Sequence, residues 1–131
     1  MCIWDGTICT KYTDNTSRVS AGGIFVSEVT LTQDDLNNSC IGSRWSSCNK
    51  NDYWNAYRKK CEQNRAHLAT AAEIKALYAM HNSPLDSSSY YWVAEANSDE
   101  TDVFGFDPYD EDVYYGFEPN GNDLKAVCVG N

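Results

Sequence analysis

Between positions 107 and 123 the chain carries Asp107, Asp110, Glu111, Asp112, Glu118, Asn120, Asn122 and Asp123, a dense run of oxygen donors. Hard cations take about six to eight such oxygens, so this stretch is the natural place to look for calcium chemistry. Within "FEPNGND", Phe117 to Asp123, the candidate ligands are Glu118, Asn120 and Asp123. The sequence requires no cofactor, and calcium is the ion these side chains suit. The adjacent acids Asp110, Glu111 and Asp112 also imitate the paired carboxylates of a hydrolase, but nothing beside them supplies a catalytic partner. His67, ahead of the apolar Leu68, reads as a helix-loop residue, and His81 as a cation at a helix C-terminus.

Cysteine is the other reactive type. Cys2, Cys9, Cys40, Cys48, Cys61 and Cys128 fit neither a CxxC pair nor the finger-like Cys/His spacing of zinc sites, so they point to disulfides and an oxidising compartment. Cys2 and Cys9 can close a small loop, and Cys40 and Cys48 flank a short polar one; the spacing permits each bridge without fixing it. Six paired cysteines leave no thiol nucleophile, and the chain is read as a non-enzyme.

The 131 residues suit one domain, 1–131, with a core of its own. No apolar run of about 18 residues is present, and the first residues have neither a basic nor an apolar leader region, so no membrane span or export signal is expected. The net charge of -9 is unevenly spread: up to Leu85 there are eight acids and nine bases, and from Asp86 onward eleven acids and one base, Lys125. So negative a C-terminal third repels phosphate backbones and anionic lipid, which removes nucleic acid and membrane surfaces as partners. Cations, basic proteins and neutral ligands remain.

The elements that must position these groups can be read in turn. Residues 1–45 read as irregular structure around one strand, "IFVSEVTL" (Ile24 to Leu31), with a turn at Gly22-Gly23 and a turn or short helix in "TQDDLNNSC". A helix follows Asn51 or Asp52, with Trp54, Tyr57 and Cys61 on one stripe and Arg58, Lys59 and Lys60 on the wet face. "AHLAT" leads into a second helix, capped by a Thr70/Glu73 box, with Ile74, Leu77 and Tyr78 inward and Pro84 ending the segment. Then the helical period is lost. "SSSYYWVAEA", "DVFGFD", "DVYYGFE" and "LKAVCVG" read as strands separated by turns at Asp107-Pro108, Gly116, Pro119-Asn120-Gly121 and Asn122-Asp123. The fold class is α+β, two helices packed on antiparallel strands and stabilised by disulfides.

Cys61 near the end of the first helix, "HLAT", "YYWVAEA" and the terminal "AVCVGN" together resemble, in order, a C-type lectin-like domain. The closer resemblance, over roughly residues 50–131, is to prokaryotic, viral and pilin-like surface proteins diversified by retroelements. It lies in "YWVAEA", the Asn/Tyr/Asp/Ser/Phe-rich segment that follows, and "KAVCVGN". It implies a Cys61–Cys128 disulfide, burial of Trp92, Val93, Ala126, Val127 and Cys128, and a variable binding segment over 90–123.

The resemblance also implies a ligand-binding display domain of adhesin or receptor type, on a cell surface or virion, whose partner is a protein or glycan on another surface. Its contact residues would be Glu95, Asn97, Asp99 and Asp102, then Asp107, Tyr109, Asp110 and Asp112, then Tyr114, Tyr115, Glu118, Asn120 and Asp123. The physical logic runs parallel. Nine of the seventeen aromatics lie after Asp86, mostly beside Asp, Asn or Gly. Tyrosine offers large contact area at small entropy cost, and Asp, Asn and Gly offer adaptable hydrogen bonding, the mixture antibody paratopes use. Alternation along the strands must bury some of them: Trp92 and one of Phe104 and Phe106 are expected inside, with Tyr90 and Phe117 as further core candidates, and Tyr109, Tyr114 and Tyr115 outside. A calcium-dependent carbohydrate-binding lectin is the alternative. In such lectins, however, the Asn-Asp pair lies well downstream of Glu-Pro-Asn, whereas here only Gly121 separates Asn120 from Asn122. A structural pilin-like or virion-tip role without a dedicated ligand is the second alternative.

Overall fold

A computed structural model describes residues 2–4, 9–11, 24–48, 51–80, 83–121 and 123–130; the side chains at 3, 9–11, 24 and 25 are outside it. The expected turn at Gly22-Gly23, the Cys2–Cys9 bridge, which needs the Cys9 side chain, and the roles of His81 and Asn122 therefore lie outside the described residues.

The architecture is mixed α and β. The described elements, in order, are β1 (Cys2–Trp4), β2 (Cys9–Lys11), β3 (Ile24–Glu28), α1 (Gln33–Asn37), α2 (Tyr53–Gln63), β4 (Ala66–Leu68), α3 (Ala71–Ala79), β5 (Tyr91–Ala96), β6 (Val103–Asp107), β7 (Asp112–Phe117) and β8 (Val127–Gly130). They form two antiparallel sheets, one ordered β2-β1-β3-β8-β4 and one ordered β5-β6-β7. Within the N-terminal part, read as irregular around one strand, the described residues add two further strands: β1 pairs with both β2 and β3, so these stretches belong to the larger sheet. "HLAT" likewise begins with a strand, β4, which pairs with β8. Both corrections have one cause. Three-residue strands are too short to show a period, and their partners are far away in sequence.

The helices start where their caps place them. Asp52 accepts the Asn55 N–H at 2.8 Å, and Thr70 and Glu73 form the reciprocal capping box. Ile74 and Leu77 are fully buried, and each such side chain contributes about 1.5–3 kcal/mol over an exposed one. The basic stretch of α2 corrects the wet-face reading. Arg58 lies over the Trp54 ring at 5.6 Å and bonds Asn55 and Glu62. Lys59 donates to the carbonyls of Asn38 and Ile41, and Lys60 pairs with Asp35 at 3.0 Å. The heads of Lys59 and Lys60 thus tie α1 and the following loop onto α2, while Arg58 lies along α2 itself.

Alternation along β5 and β8 divides the interior in two. Tyr91, Val93, Val127 and Val129 face α3 together with Phe106, Ile74 and Leu77. Trp92, Ala126 and Cys128 face α2 together with Trp54, Leu68, Val103 and Leu124. Trp92, Val93, Ala126, Val127 and Cys128 are buried, as expected. Cys61 and Cys128 are bonded across the second core, and Cys40 bonds Cys48. Both disulfides are compatible with an oxidising compartment. Among the described residues no helix is long and apolar enough to cross a membrane.

Candidate functional site

The three-stranded sheet sorts the expected contact residues. In the β6–β7 hairpin Asp107 pairs with Asp112, Phe106 with Val113, Gly105 with Tyr114 and Phe104 with Tyr115. Paired residues share a sheet face and neighbours alternate, so Tyr114 and Tyr115 point to opposite faces. Tyr115 stacks beside Phe104 at 5.7 Å on the α3 side. Tyr114 lies on the other side, with Gly105 and Asp107.

One irregularity completes that second face. The register shifts between Val103 and Phe104, which pair with Phe117 and Tyr115, so Gly116 is an extra residue in β7. It bulges with φ +101°, a conformation that glycine adopts without a Cβ penalty. Without the bulge Phe117 would share Tyr115's face. With it, Phe117 crosses over and meets Tyr90 and Trp92, each at 6.3 Å between ring centroids.

The result is a shallow pocket of about 290 Å³ lined by Tyr90, Phe117, Glu118, Asn120, Gly121, Asp123 and Leu124. Tyr109 adds a further ring, 6.3 Å from Tyr90. Tyr109 is 72% exposed, Tyr115 70% and Tyr114 45%, the largest exposed aromatics among the described residues. Tyr90 and Phe117, read from sequence as core candidates, are half-buried: they pack against the Trp92 core and also wall the pocket. The register with β6 and the bulge, neither visible in a single strand, were the missing signals.

The loops that carry the acids are fixed by backbone. Asp107 accepts the Tyr109 N–H at 2.8 Å, which folds the hairpin turn and projects the Tyr109 ring outward. Tyr114 donates its hydroxyl to Asp110 at 3.0 Å. The Glu118–Gly121 turn closes on a Gly121 N–H to Glu118 carbonyl bond. The Pro119 carbonyl accepts the Tyr53 N–H at 2.7 Å and so occupies an otherwise unpaired donor at the start of α2. The side chains of Glu118, Asn120 and Asp123 remain exposed.

Partial burial, then Asp107 beside it, pushes the Tyr90 phenol above its ordinary value. The hydrogen bond to Asp110 raises that of Tyr114. Both stay protonated at neutral pH and can donate. Lys125 pairs with Asp86, and Lys75 pairs with Asp112, holding that carboxyl below its usual range. Among the described residues no base pairs with Asp107, Asp110, Glu118 or Asp123.

Not every expected contact residue joins this face. Glu95 takes the Ala71 N–H at 3.0 Å and serves as a cap for α3. Asn97, Asp99 and Asp102 build the β5–β6 turn: Asn97 bonds Thr101 and accepts the Asp102 N–H, and the Thr101 hydroxyl donates to Asp99, lowering its carboxyl. His67 belongs to β4 rather than a helix-loop junction, with Nε2 at 2.9 Å from Glu73. Glu118, Asn120 and Asp123 do come together, but among the described residues no three His, Cys, Asp or Glu side chains are grouped to hold a metal ion. Comparison of the chain with protein-family models, curated proteins and solved structures finds no match.

Proposed function

We propose that the chain is a C-type lectin-like domain that displays a ligand-binding face, of receptor or adhesin type, on a cell surface or virion. The observation that carries this reading is the exposure of Tyr109 and Tyr114 beside Asp107, Asp110, Glu118, Asn120 and Asp123 on one side of a sheet. Large amphipathic rings left in water on a rigid hairpin cost solubility and add little to the fold. They suit recognition, where such residues dominate binding energy. The resemblance of "YWVAEA" and "KAVCVGN" to retroelement-diversified proteins supplies a reason for that palette. The contact set of this face is Asp107, Tyr109, Asp110, Tyr114, Glu118, Asn120 and Asp123, with Tyr90 and Phe117 as its apolar base.

Sequencing of sister copies of the gene from one population tests the diversification. Substitutions concentrated at exposed positions from Asn97 to Asp123, with Trp92, Gly105, Gly116 and Cys128 fixed, are the expected pattern. An even spread over the chain would reject it.

A further inference from the structure

We propose that the Tyr90/Phe117 pocket seats a single cationic side chain, lysine or arginine, of a basic protein partner; this assignment deepens the binding-face reading and rests on it. At about 290 Å³ the cavity is large enough to take one long side chain. Its walls are Tyr90, Phe117 and Leu124, and its rim is Glu118, Asn120 and Asp123. The ligand that satisfies both is an apolar stem ending in a positive charge: the stem packs on the rings, whose faces attract cations, and the charge meets the carboxylates.

Charge complementarity selects this occupant over the others. Asp107 and Asp110 stand beside the Tyr90 and Tyr109 rings and add to the negative field. Lys125, the base that follows the pocket wall Leu124 in sequence, is paired with Asp86. A phosphorylated or acidic partner would be repelled, and a neutral sugar would leave the field unused. Among the described residues the rim offers a bare metal ion two carboxylates and one amide, and no three His, Cys, Asp or Glu are grouped to hold one.

The test is an amide NMR titration of the whole chain with N-acetyl-lysine methylamide and N-acetyl-arginine methylamide, with the uncharged Nε-acetylated lysine compound as control. Saturable shifts at Tyr90, Phe117, Gly121 and Leu124 with millimolar affinity are expected for one side chain taken alone, along with no response to the control. The double variant Glu118→Gln/Asp123→Asn, both positions exposed, should weaken binding about five-fold or more while keeping the remaining spectrum. No saturable shift, or equal shifts from the acetylated control, would overturn the assignment. If the titration fails while Tyr114→Ala still abolishes binding to a macromolecule, only the cation assignment falls. If no macromolecule binds at all, the binding-face reading falls and takes the assignment of a protein partner with it.

Discussion

Gly105 and Phe117 touch so closely that no side chain fits between them: a Cβ on Gly105 would stand 2.8 Å from Phe117 Cε2. The same Cβ would lie 2.9 Å from Leu124 Cδ2. The central strand of the small sheet is therefore stripped to backbone where the pocket's walls rest on it. Gly105→Ala should cost about 1–3 kcal/mol through overpacking and push Phe117 and Leu124 outward. Thermal unfolding, read with the amide shifts of Phe117 and Leu124, checks both effects; an unchanged melting temperature with unmoved shifts would show that the contact relaxes freely.

Gly116 makes the complementary prediction. Its bulge delivers Phe117 to the pocket face, and its φ of +101° is one that other residues rarely adopt. Gly116→Val should destabilise by about 1–3 kcal/mol, the strain of a non-glycine residue there, and abolish the pocket. A variant that melts normally and keeps the Tyr90–Phe117 contact by NMR would contradict the role given to the bulge.

The two described disulfides should differ in weight. Cys61–Cys128 closes a loop with sequence separation 67 and Cys40–Cys48 one of 8. In the chain-entropy model these correspond to about 4 and about 2.5 kcal/mol. Denaturant unfolding of Cys61→Ala/Cys128→Ala and Cys40→Ala/Cys48→Ala should show the larger loss in the first pair. Equal stability in the Cys61/Cys128 variant and the parent would reject that bridge as a determinant of the fold.

Asp52 is fully buried, and burial pushes its carboxyl up despite the bonds from Asn55 and Ser43. Because the folded value lies above the unfolded one, folding binds a proton between them, and this group's contribution to stability declines as pH rises through that window. Asp52→Asn keeps an N-cap acceptor and removes the buried charge, so at pH 7 it should equal or exceed the parent in stability. It should also flatten the loss of stability as pH rises above the ordinary carboxylate range. Asp52→Ala should cost about 1–2 kcal/mol at the same pH, from the lost cap. Melting curves across pH distinguish the two, and a steeply destabilised Asp52→Asn would mean that the ionised form is required.

Much of this was legible in the chain. The Thr70/Glu73 box, the Asp52 cap and the stripe of Ile74 and Leu77 announce α2 and α3 because helices are specified by neighbours a few residues apart. Tyr109, Tyr114 and Tyr115 read as exposed because acids flank them. That Tyr114 and Tyr115 part to opposite faces, and that Phe117 crosses to join Tyr90, depends on pairing with β6 and on one extra residue in β7. Such information belongs to strand register rather than to composition. Glu95 and Asn97 enter as contacts through the resemblance, and their hydrogen bonds to Ala71 and Asp102, which join residues far apart or across a turn, are structural ties that a single stretch of sequence does not display.

The proposed binding face assigns Tyr109 and Tyr114 to a ligand and not to the fold. Its most direct measurement pairs ligand binding with stability. Fluorescent tetramers of the parent, Tyr109→Ala, Tyr114→Ala and Tyr115→Ala would be applied to an array of surface proteins and glycans, with calorimetric melting of each. A parent signal that falls about ten-fold or more in the Tyr109 and Tyr114 variants, survives in the Tyr115 variant, and leaves melting within about 2 °C is the predicted result. Absence of any parent signal, or losses that follow the melting temperature rather than the face, would contradict the claim.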